Sequence, residues 1–163
     1  MNEQRIIYVN NPSQVELNDV MMKGLEKHFR VDYRDTLTIG LASGIANSRE
    51  KEKVQGLVTN FPYDYAFYSK PNVDKLPTEK FYKGLYHIPR ILLSEIRESN
   101  PNLGILVYSG AGCKDDNDPG SDSRLLKDIM IASGANDVVF KNEPIGDVNE
   151  IVEKMMGLVG VRV

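Results

Sequence analysis

Short, nearly unbroken apolar runs alternate along this chain with longer stretches whose apolar residues recur at helical spacing. Arg5-Ile6-Ile7-Tyr8-Val9 is the first run, and it stops at Asn10-Asn11-Pro12, which reads as a buried strand reaching a turn. Val15, Leu17, Met21, Leu25 and Phe29 then predict an amphipathic helix over 13–29, with Pro12 suited to its first turn. Further strands are expected at Arg30 to Tyr33, Gly56 to Thr59, Leu103 to Tyr108 and Asp137 to Phe140. Helices are expected at Thr38 to Glu52, around Ile91 to Ile96, around Leu125 to Met130, and from about Asp147. Asp147 suits the N-cap of that last helix, with Glu150 three positions on, and Gly134 suits the left-handed cap of the helix before it. Alternation of continuous apolar strands with helices predicts a parallel sheet covered on both faces. In such doubly wound sheets ligands and chemistry sit at the carboxyl ends of the strands.

The 163 residues suit one domain, and 41% hydrophobic content with 26% charged residues is ordinary for a globular core. A net charge of -3 with the signs interspersed offers no basic stripe for a phosphate backbone, so nucleic acid is not expected as a partner. No apolar run approaches about 18 residues, and the start of the chain has no leader-like segment, so a cytoplasmic protein without membrane contact is expected. Cys113 is the single cysteine, so no internal disulfide forms, and neither His28 nor His87 lies near it in sequence to activate it.

The expected carboxyl ends carry Asn10-Asn11, Asn60, Ser109-Gly110 and Lys141. That ordered set resembles a response-regulator receiver domain over nearly the whole chain. The clearest local piece is Ala132-Ser133-Gly134-Ala135-Asn136-Asp137-Val138-Val139-Phe140-Lys141, similar to the family's helix, Gly-Ala turn, fifth strand and terminal lysine. The resemblance implies one domain over 1–163 with a flavodoxin-like sheet of five parallel strands in receiver order. In receivers an acidic pair ends the first strand and helps bind Mg²⁺, an aspartate ending the third accepts phosphate, a hydroxyl follows the fourth and a lysine ends the fifth. Asn10 and Asn11 stand at the acidic pair, Asn60 at the acceptor, Ser109 at the hydroxyl and Lys141 at the lysine.

Amides in place of three carboxylates remove the anionic oxygens that Mg²⁺ prefers, and an amide oxygen is a far weaker nucleophile than a carboxylate. No metal, no cofactor and no phosphorylation at Asn60 are therefore expected. Removing clustered carboxylates also removes their repulsion, so such a pocket can hold together without metal in one state. Taken singly, each asparagine also suits a helix cap or a turn, but all three fall on the family's acidic positions. The resemblance departs at Asn142-Glu143-Pro144, where the family places proline directly after the lysine, and at enlarged loops over about 61–83 and 110–122. The first loop is rich in aromatics and lysine and suits a cover or a partner surface, and its Asp64 is the fallback acceptor.

Gly110 and Gly112 follow a strand and suit a weak anion site, but they complete neither a dinucleotide fingerprint nor a P-loop. Asp115 to Asp122 imitates a calcium loop, yet Pro119 sits at a ligand position and Leu126 stands where a glutamate belongs. Ser109 with Lys141 suits a scaffold hydrogen bond better than a nucleophile and base. The leading expectation is a pseudo-receiver, not an enzyme, that acts by binding another protein, with a homodimer through the last two helices and fifth strand as one use of that face. Val159 to Val163 would add an edge contact there. The other expectation is a small-molecule, nucleotide or anion-binding domain using the same crevice.

Overall fold

A computed structural model of the protein describes residues 4–35, 53–60, 87–109, 122–141 and 144–160. Five strands, β1 Arg5–Val9, β2 Arg30–Arg34, β3 Gly56–Asn60, β4 Gly104–Ser109 and β5 Asp137–Phe140, form one sheet in the order β2-β1-β3-β4-β5. Every neighbouring pair is parallel. The helices described are α1 Val15–Glu26, α2 His87–Ser99, α3 Asp122–Ala132 and α4 Pro144–Val159. This is the five-stranded, flavodoxin-like parallel sheet that the alternation and the resemblance predict. The helix expected at Thr38 to Glu52 lies outside the described residues, as do Asp64, Gly110, Gly112, Cys113 and nearly all of the two enlarged loops.

Strand side chains alternate between two cores. Ile7, Val9, Leu57, Ile105 and Val107 face α2 and α3, where Leu93 and Ile96 are fully buried. Ile6, Tyr8, Val58, Leu106 and Tyr108 face α1 and α4. Burial on both sides explains why the central strands read as unbroken apolar runs. Gly24 lets α1 approach α4, because a Cβ there would stand 2.8 Å from Cγ1 of Val148. No helix among the described residues is long and apolar enough to cross a membrane.

The boundaries of α1 and α4 correct the sequence reading in three places. Helix α1 begins at Val15 rather than Ser13, because Asn11 closes a turn first: its Oδ1 accepts the Ser13 N–H at 2.9 Å and its carbonyl accepts the Gln14 N–H. It ends at Glu26 rather than Phe29, whose N–H still reaches the Leu25 carbonyl. Helix α4 begins at Pro144, three residues before the expected cap, since proline's fixed φ suits a first turn that has no use for its missing N–H. Asp147 is therefore inside the first turn, buried, and accepts the Tyr108 hydroxyl at 3.0 Å.

The stop of α3 follows expectation. Gly134 has φ +123°, the Ala135 N–H bonds the Met130 carbonyl and the Gly134 N–H bonds the Ile131 carbonyl. Those two bonds make a Schellman cap. Arg97 of α2 clasps the same corner, donating to the Gly134 carbonyl and to Oδ1 of Asn136, which in turn accepts the Ile105 N–H and so ties the turn to β4.

Candidate functional site

Four strands, β1, β3, β4 and β5, end side by side at the carboxyl edge. In register, Asn60 of β3 stands beside Tyr108 of β4, and Ser109 stands beside Phe140 of β5, with Lys141 one residue beyond. Asn10 follows β1 directly. Alternation puts Asn10 and Asn60 on the α1 and α4 face, with Tyr8 and Val58, whereas Ser109 shares the parity of Val107 on the other face.

Asn10 and Asn60 meet. Nδ2 of Asn60 donates to Oδ1 of Asn10 at 2.7 Å, and the two residues are 5% and 0% exposed. The amide nitrogen of Asn10 uses both of its hydrogens, donating to Oε1 of Gln14 at 2.9 Å and Oδ1 of Asn18 at 2.7 Å. Its backbone is held as firmly: the N–H donates to the Arg34 carbonyl, and the carbonyl accepts the Tyr33 hydroxyl at 2.7 Å. Asn18 also accepts the Tyr8 hydroxyl and returns a donor to the Asn11 carbonyl. Asn10 is thus saturated as a donor by partners that present oxygens.

Lys141 joins the same network from β5. Its Nζ donates to Oε1 of Gln14 at 3.3 Å and lies 5.2 Å from the centre of the Tyr108 ring, while its backbone N–H bonds the Ser109 carbonyl. Gln14 therefore bridges Asn10 and Lys141. Tyr108, 2% exposed, carries the contact onward to Asp147 at the start of α4. Burial pushes the Tyr8 hydroxyl well above its ordinary pKa, against a smaller downward effect of Asn10, and burial with the nearby charge of Asp35 raises that of Tyr33. Both phenols stay protonated as donors near neutral pH.

Of the residues singled out in the sequence, Asn10, Asn60 and Lys141 fall into one connected network, Ser109 touches it through the backbone, and Asn11 serves the turn before α1. Sequence reasoning missed Gln14, Asn18, Tyr8 and Tyr33. The signal for the first two was present: positions 14, 18, 21 and 25 follow helical spacing, so the half-buried Asn18 and the exposed Gln14 at the N-cap extend the line of the buried Met21 and Leu25.

A divalent cation does not fit this arrangement. The side-chain oxygen of Asn10 is already taken by an N–H of Asn60, and no carboxylate stands at either position. Among the described residues, no group of three His, Cys, Asp or Glu side chains is placed to hold a metal.

No protein-family model matches the chain, and no curated protein matches it. Solved structures do match. A CheY-like receiver domain protein of Methanospirillum hungatei aligns with a TM-score of 0.57 and 16% identity, covering 96% of this chain and 97% of that one. A response regulator of Thermotoga maritima gives 0.57 and 14%, covering 96% and 98%. An atypical orphan response regulator, described as having a phosphorylation-independent regulatory mechanism, gives 0.57 and 14%, covering 98% of each chain. At these identities the likeness is one of fold, and the chain has the fold of the CheY-like response-regulator receiver domains.

Proposed function

We propose that the protein is a receiver-like signalling module of the cytoplasm that is not phosphorylated and that acts by binding a partner protein. The observation that carries this reading is the Asn60 to Asn10 hydrogen bond, in which an amide donor occupies the position where the receiver pattern has an acceptor carboxylate. An amide oxygen at Asn60 has little nucleophilicity toward phosphorus, and the second amide turns its only oxygen toward the first. The network that would respond to phosphate and metal is instead closed on itself through Gln14 and Lys141. The phosphorylation-independent mechanism described for one orphan structural neighbour makes such a module a reasonable member of this fold's repertoire. The reading assigns no catalytic role to any residue, and the partner surface it favours is β5 with α3 and α4.

Backbone amide NMR spectra with and without Mg²⁺ and beryllofluoride test it, together with intact mass after incubation with acetyl phosphate. The expected result is unchanged signals for Asn10, Asn60, Ser109 and Lys141 and no added phosphoryl group. Mg²⁺-dependent saturating shifts, or a phosphoryl adduct on any residue of the pocket or on Asp64, would overturn the reading. Saturating shifts with inorganic phosphate alone would favour the anion-binding alternative.

A further inference from the structure

The outer face of α2 carries its own complement. Arg90 lies four residues before Ser94 and Glu98 four residues after it, which places one positive and one negative side chain about 6 Å of helix axis to either side of a small residue. All three line one surface groove of about 570 Å³ between α2 and α3, with Ile91, Glu95 and Ala132. Ile91, 53% exposed, adds an apolar side chain to the same groove. Arg90 and Glu98 form no ion pair among the described residues, although other charges on this domain do: Asp137 binds both Lys127 and Lys154, and Arg5 binds Asp32.

We infer that this face binds a second copy of the same chain, two α2 helices crossing antiparallel about a twofold axis at Ser94. A twofold interface is self-complementary, so residue i meets residue j and j meets i. With the axis at Ser94, Arg90 faces Glu98 of the partner subunit and Glu98 faces Arg90 of the partner subunit, giving two ion pairs from one surface. The serine allows close approach, because its hydroxyl is already turned inward to the Ser133 carbonyl at 3.2 Å. Ile91 gains apolar cover from the partner helix, and Glu95 lies at the rim in solvent. The face formed by β5, α3 and α4, where self-association was first expected, stays free for the partner protein. This inference is independent of the chemistry of the carboxyl-edge pocket.

Sedimentation equilibrium over a concentration series, at low and high salt, tests it with three variants of the full chain: R90E, E98R and the double exchange R90E/E98R. Each single reversal sets like charges against one another at both symmetric contacts and is expected to raise the dimer dissociation constant about tenfold or more. The double exchange restores opposite charges and is expected to return the constant to near that of the parent, with circular dichroism confirming that every variant is folded. A parent protein that is monomeric throughout the series overturns the inference. So does a dimer that ignores the single reversals, or a folded double exchange that fails to recover.

Discussion

The side-chain nitrogen of Asn60 donates a 2.7 Å hydrogen bond to the side-chain oxygen of Asn10, tying the carboxyl ends of β3 and β1 together inside the protein. This single bond fixes the orientation of both amides. With its oxygen committed to Asn60, Asn10 must aim its two N–H groups at Gln14 and Asn18, and both of those present oxygens. The network is therefore polar in one direction, from β3 through β1 to α1, and each member depends on the next.

Asn60→Asp breaks the first link. The new carboxylate would face Oδ1 of Asn10 with no hydrogen between them, and turning the Asn10 amide over would only move the clash to Gln14 and Asn18. Stability at pH 7 should fall by about 1–3 kcal/mol. Burial raises the pKa of a carboxyl placed there above its unfolded value, so the folded state binds a proton that the unfolded state has released. The deficit should then shrink as the pH falls, because the protonated acid can donate as the amide does. Urea unfolding of parent and variant at several pH values measures this, and a deficit constant with pH would argue against the assigned polarity.

Asn10→Asp is the harsher change. It removes two donors at once and leaves the oxygens of Gln14 and Asn18 facing a carboxylate, with a cost of roughly 2–4 kcal/mol for a buried site losing two bonds. Asn11→Asp, by contrast, keeps the acceptor that the Ser13 N–H uses in an exposed turn and should be nearly neutral. Comparing the two midpoints in urea separates the buried amide of the pair from the turn amide. Equal losses would mean that both residues share the pocket.

How much of this was legible before the structure depends on what each residue's role requires. The sheet was readable because Ile6 to Val9, Gly56 to Asn60 and Gly104 to Ser109 are buried on both faces, which forces unbroken apolar runs. Asn10 and Asn60 stood out as polar residues at the ends of such runs. Their mutual bond did not, since it joins residues fifty positions apart and depends on strand register. Gln14 and Asn18 were hidden by an apolar-only reading of α1. Asp147 was misread because a capping aspartate and a first-turn aspartate differ only in backbone angles that Pro144, three residues earlier, had already decided.

Gly134→Ala tests the corner that Arg97 clasps. At φ +123° an L side chain is strained, and a Cβ there would lie 2.9 Å from Cβ of Arg97 and 3.3 Å from the Leu93 carbonyl oxygen. Backbone strain and crowding act together, so a loss of about 2 kcal/mol or more is expected. Gly157→Ala is the control, because a Cβ at that exposed helical position meets nothing within 4 Å. It should stabilise slightly, by about 0.5–1 kcal/mol. Thermal unfolding of the two variants should move the midpoint in opposite directions.

The last prediction concerns pH and the ion pairs that tie β5 to its flanking helices. Asp137 accepts from Lys154 of α4 and lies 3.3 Å from Nζ of Lys127 of α3. Burial pushes its carboxyl up, but the Lys154 hydrogen bond, the Val138 N–H and the two lysine charges outweigh burial and hold it below its ordinary 3.8. The hydrogen bond to Asp137, opposed by burial, raises Lys154 above its ordinary 10.5. A depressed carboxyl contributes stability that is present above its unfolded pKa and is lost as pH falls through the folded value. A raised amine contributes stability that is present below its unfolded pKa and is lost as pH rises through the folded value. Asp137→Asn removes the first contribution outright and takes away the partner that produces the second. Because these side chains are partly solvated, the cost at neutral pH should be about 1 kcal/mol or less. The gap between parent and variant should narrow both as the pH falls below the ordinary carboxylate value of 3.8 and as it rises above the ordinary lysine value of 10.5, and be widest between. Urea titrations at acidic, neutral and alkaline pH read this directly, and a gap that does not close at the acid end would place the stabilising role of Asp137 in packing rather than in charge.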